Sequence, residues 1–181
     1  MLLPACSSTT PTEITPTGLD PSQEILFHAS YENYAWGYQN GGWFVDREGN
    51  VWSMSPASMW GAEVGEALSG GSAVFGYPKA DLEDGYRSVR DSLLLHLEAD
   101  ELDEMSLLVR SAAAGPYSAR RYSANDAGIS LLGALLYDPD AGTYRRIVLS
   151  VAGDETVVNE SESARRLVSW LVDVAGRIAA R

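Results

Sequence analysis

The chain has 181 residues with 45% hydrophobic content, enough to bury one core without metals or disulfide staples. Its net charge of −12 opposes nucleic-acid binding, which needs a basic footprint on phosphate, and docking of the bare protein surface on anionic lipid. No apolar run approaches the roughly 18 residues of a spanning helix, so any membrane link must come through lipid or a partner.

The only cysteine, Cys6, follows Leu3-Pro4-Ala5 and precedes Ser7-Ser8 and a Thr/Pro-rich tract to Gly18. That tract has almost nothing to bury and no periodic pattern, so residues 1–22 are expected to be a disordered tether ahead of one domain at 23–181. Leu3-Pro4-Ala5-Cys6 resembles the lipobox of bacterial lipoproteins, in which the cysteine is diacylated and becomes the N-terminus. The resemblance implies a lipid anchor at Cys6 and a place in the cell envelope, at the outer membrane or facing the periplasm; a chance match would leave the chain cytoplasmic. Pro4 departs from the usual pattern, and five residues carry neither a basic n-region nor a full apolar h-region. The expectation therefore includes a start upstream of Met1.

Nine of the seventeen aromatic residues lie between Phe27 and Trp60. Glu24–Tyr31 reads as a strand, and Tyr34-Ala35-Trp36-Gly37-Tyr38 alternates ring with small residue, as a strand with its rings on one face does. Asn40-Gly41 is a hairpin signal, Trp43–Arg47 returns, Glu48-Gly49-Asn50 turns, and Val51–Met54 completes a meander. Two readings follow. The rings are core, or Tyr34, Trp36, Tyr38 and Trp43 form a platform for a sugar or an apolar ligand. The loops at Asp46–Asn50 and Asp138–Gly142 carry calcium-like carboxylates, but neither has the twelve-residue pattern with a closing glutamate, and both suit turns.

Residues 56–78 read as irregular, with one helical turn near 59–68. From Ala80, Leu82, Tyr86, Val89, Leu93 and Leu97 recur at helical spacing. Asp100 is placed as an N-cap, with Leu102, Met105, Leu108, Val109 and Ala112 as the buried stripe of the helix it starts. Ile129–Tyr137, apolar on both faces, reads as a central strand that pairs with Tyr144–Val151. Asn159-x-x-Glu162 then caps a last helix, with Leu167, Val168, Leu171 and Val174 inward and Trp170 at the flank. The fold class expected is α+β. An antiparallel sheet of about five strands (a meander over 24–55 and a hairpin over 129–151) is covered on one face by two or three helices.

Catalysis has few carriers. The two histidines, His28 and His96, both stand among apolar neighbours, and no nucleophile elbow, phosphate loop or zinc helix is present. Neither a cofactor nor a metal is expected. Paired carboxylates remain open, with Asp126, Asp154 and Asp46 near strand ends. Asp126, beside Gly128 and near Arg120 and Arg121, is the best single functional position. The run Tyr31–Asp46, with Asn125-Asp126-Ala127-Gly128, Leu136-Tyr137-Asp138 and Val148-Leu149-Ser150, is similar to uncharacterised secreted bacterial lipoproteins, a resemblance that carries no activity. The expected role is a non-enzymatic envelope lipoprotein that binds a protein or glycan partner. The alternatives are a carboxylate-dependent hydrolase around Asp126 and an inhibitor or immunity-type module.

Overall fold

A computed structural model of the chain describes residues 18–35, 37–55, 76–123 and 126–181. Cys6, Trp36, Asn125 and the helical turn expected near 59–68 lie outside them. The α+β class holds, with three helices and an antiparallel sheet of nine strands among the described residues, where about five were expected. The strands are β1 (Ile25–Asn33), β2 (Gln39–Asp46), β3 (Asn50–Met54), β4 (Gly76–Pro78) and β5 (Arg90–His96), followed by β6 (Arg121–Tyr122), β7 (Ile129–Asp138), β8 (Thr143–Gly153) and β9 (Glu155–Val158). The helices are α1 (Lys79–Val89), α2 (Ala99–Ala113) and α3 (Glu162–Ala179).

The sheet runs β5-β3-β2-β1-β7-β8-β9-β6, with β4 also paired to β8. β1 and β7 are central, and their apolar runs follow from that position, since a strand covered on both faces has no reason to alternate. Neighbouring residues go to opposite faces. Trp43 and Val45 join one core cluster and Phe44 between them joins another; Ala134 and Leu136 separate from Leu135 in the same way. The larger cluster packs under α2 and α3, where Phe27 meets Trp170 edge-to-face at 4.9 Å. Trp170 thus belongs to the core, and its indole N–H donates to Glu101 at 2.6 Å across the two helices.

The helices do not share one face, as the sequence had suggested. Leu82 and Tyr86 of α1 pack with Ile25, Phe44, Leu135 and Tyr144 on the opposite face. Glu83, 2% exposed, fastens that helix. It accepts from the Tyr144 hydroxyl and the Glu24 N–H, and Lys79 lies 2.6 Å from it. His28 points to the same face, in a space that Gly133 on β7 leaves open. A Cβ at Gly133 would stand 2.3 Å from the His28 ring.

Three local expectations change. The helix from Ala80 stops at Val89, and the leucine run beyond it is β5, paired to β3 at the sheet edge. Helix α2 starts at Ala99 after Glu98, not at an Asp100 cap, and α3 is capped by Ser161, whose hydroxyl accepts from the Ala164 N–H, rather than by Asn159. The first hairpin reverses at 34–38 rather than at Asn40-Gly41, which sit inside β2 opposite Glu32 and Tyr31. The reversal has its own chemistry, because Asn33 Oδ1 accepts from the Ala35 N–H at 2.8 Å and Gly37 takes φ +98°. Gly42 is then needed for packing: a Cβ there would stand 2.1 Å from the Ala29 carbonyl oxygen.

Candidate functional site

Moving the reversal to 34–38 lifts two rings of the expected platform out of the sheet. Tyr34 and Tyr38 are 71% and 53% exposed, and their ring centroids lie 5.2 Å apart with planes inclined by 38°. Trp43 parts from them, buried at 9% exposure against the α2–α3 layer. Glu32, the last acid of β1, organises the tip. One carboxylate oxygen accepts from the Tyr34 hydroxyl, and Tyr38 and the Asn40 amide both lie 3.5 Å from it. The bond to that carboxylate pushes the Tyr34 phenol up to about 12, so it stays a protonated donor in neutral solution.

Beside this tip lies a cavity of about 320 Å³, lined by Glu32, Asn33, Tyr34, Ala35, Asp126, Gly128, Ile129 and Asp154. Its floor depends on close backbone approach. Gly128 has φ +75° and Gly153 φ +123°; a Cβ at Gly153 would stand 1.9 Å from the Gly128 carbonyl oxygen. The Asp154 carboxylate accepts from the Ala127 N–H at 2.7 Å, and Asn33 Nδ2 donates to the Asp126 carbonyl at 3.3 Å. Asp126 alone among the described non-glycine residues has positive φ, at 77°. Asp126 is exposed and lines the cavity, and its positive φ is a conformation aspartate tolerates better than most residues.

The cavity therefore gathers Asp126 and Asp154, both singled out by sequence, with Glu32, which was not. Glu32 went unnoticed because its role depends on where the hairpin turns, and Asn40-Gly41 misplaced the turn. Asp46 sits elsewhere: its carboxylate accepts from the Asn50 N–H, the Asn50 amide and, at 2.8 Å, the Trp52 indole, closing the β2–β3 turn. Asp138 likewise accepts from the Asp140 and Ala141 N–H groups of its own turn. Among the described residues, no three histidine, cysteine or carboxylate side chains are grouped to hold a metal ion. Arg120 pairs with Glu155 rather than with Asp126. His28 is buried and His96 is exposed on β5, its Nδ1 3.1 Å from Asn50 Oδ1.

Chemically, the cavity presents three carboxylates, an amide and a tyrosine ring, with no basic side chain in its lining. Such a wall accepts hydrogen bonds from a hydroxyl-rich ligand while the paired rings offer an apolar face. Comparison of the chain with protein-family models, curated proteins and solved structures finds no match. No helix among the described residues is long and apolar enough to cross a membrane.

Proposed function

We propose that the domain is a non-enzymatic glycan-binding module of the bacterial cell envelope, held by a lipid on Cys6 and a tether. The observation that carries the binding reading is the exposed Tyr34–Tyr38 pair beside an acceptor-lined cavity of about 320 Å³. Two large rings held half or more in water are costly ornaments for a soluble surface, and a paired, preoriented set is the form a recognition patch takes. The volume is at the small end for ligand sites and suits one or two sugar rings. A glycan fits better than a flat protein epitope because the recognition groups converge on a concavity. The test is calorimetry with soluble peptidoglycan fragments and envelope oligosaccharides. Binding should be saturable, and Tyr34→Ala with Tyr38→Ala should weaken it at least about tenfold, roughly 1.4 kcal/mol. Absence of binding to every glycan would overturn the reading. Labelled palmitate entering the natural protein but not Cys6→Ala would place the anchor; equal labelling would remove it.

A second reading, a carboxylate-dependent hydrolase, draws on the same cavity, since Glu32, Asp126 and Asp154 share it. It ranks below binding because Glu32 and Asp154 are engaged in holding the tyrosines and the Ala127 N–H. Release of reducing ends from a bound glycan, abolished in Asp126→Asn, would reverse that order.

A further inference from the structure

A second cavity, of about 280 Å³, lies where β6, β9 and the first turn of α3 meet. Arg121 and Arg165 both line it, with Ser118 and Thr156 beside them. In a chain of net charge −12, several arginines have a carboxylate: Arg120 has Glu155, Arg166 has Glu104, and Arg177 has Glu101. Arg121, like Arg145, has no such partner among the described residues. It is exposed, and among the described residues its side chain has neither an ion pair nor a hydrogen bond. Arg165 is held in place by the Glu160 carbonyl at 2.9 Å and by Glu162 at 2.8 Å. Those bonds use two of the five N–H donors of a guanidinium, so the rest stay available in a fixed orientation. The wall behind them is rigid. Asn159, fully buried, spends its amide on the Ala112 carbonyl and its oxygen on Ser161. Glu160 also lines the cavity and Glu162 is paired with Arg165, which leaves the Arg121 guanidinium as the cavity charge with no carboxylate bonded to it among the described residues.

Arg121 brings a guanidinium with no bound carboxylate to a cavity that Arg165 also lines, and a positive group of this kind favours an anion beside it. We infer that this cavity binds a small oxyanion, the carboxylate or phosphate group of a ligand, between Arg121 and Arg165. Both groups offer oxygens in the geometry a guanidinium bonds best. The site is separate from the tyrosine-rimmed cavity, and it stands or falls without the glycan reading.

The test is an NMR titration of the full chain with sodium phosphate, with sodium citrate, and with sodium chloride at matched ionic strength. Saturable shifts of the Thr156, Val158 and Arg165 amides in phosphate or citrate, absent in chloride, are expected. Arg121→Gln should weaken them at least about tenfold. Arg166→Gln, which removes an arginine outside the cavity, should titrate like the natural protein. A response to phosphate alone would support a phosphoryl ligand, and a response to citrate alone a carboxylate. Shifts that never saturate, or that match chloride, would overturn the site. So would an Arg121→Gln protein that binds like the natural one.

Discussion

Trp43 and Tyr34 come from the same aromatic run yet serve opposite ends, and the difference lies in one turn. Trp43 faces inward from β2 and is 9% exposed, while Tyr34 sits past Asn33 on a reversal that Gly37 permits, and is 71% exposed. Their energetic weights should differ accordingly. Trp43→Ala removes a large ring from a cluster that also holds Val45, Val51 and Leu95, and should cost about 3–5 kcal/mol of unfolding free energy. Tyr34→Ala removes an exposed ring held by a neighbouring tyrosine and by its hydroxyl bond to Glu32, so its cost should stay within about 1 kcal/mol. Urea unfolding of the two variants measures both. A Tyr34→Ala protein as damaged as Trp43→Ala would mean that the tip belongs to the core, and the platform would lose its physical basis.

Among the elements, α3 has the clearest single task. Leu167, Trp170, Leu171 and Val174 lie on its inward side, and Arg177 and Trp170 both bond Glu101 of α2. Truncation before Leu167 should leave the sheet face bare and yield aggregated protein. Soluble truncated protein with a cooperative melt would contradict that role. This helix was legible in the sequence because its apolar spacing is long and regular. The central strand β7 was legible for a similar reason, as apolar positions on both of its faces leave only a buried site. The leucine run of β5 was not. Leu93 continues the phase of Leu82, Tyr86 and Val89, and only pairing with β3, far away in sequence, makes its segment a strand. The short strands β4, β6 and β9 carry too few residues for any period to show. Asp126 and Asp154 were legible as loop carboxylates, but the meeting of Glu32 with them depends on the β1–β7 register, which places Glu32 opposite Ile129.

Taken whole, the molecule is a sheet with helices on both faces, and its least ordinary interior residue is charged in most proteins at mildly acid pH. His28 is fully buried between β2 and β7, facing Tyr86 at 6.4 Å between ring centroids. Burial, with the nearby charge of Arg146, holds its pKa well below the ordinary histidine range. The native state therefore keeps His28 neutral, whereas the unfolded chain takes up a proton near the ordinary value of about 6.5. Below that pH the unfolded state binds more protons than the native state, so stability falls as pH falls, by at most about 1.4 kcal/mol per pH unit. Of the two histidines in the sequence His28 is the buried one, and its burial should make stability fall between about pH 7.5 and about pH 5.5. Urea unfolding across that interval should show a steady loss in the natural protein. A His28→Gln variant, whatever its baseline stability, should show a nearly flat profile. Equal slopes in the two proteins would mean that His28 gains a proton without leaving the folded state, and that the face under α1 admits a charge.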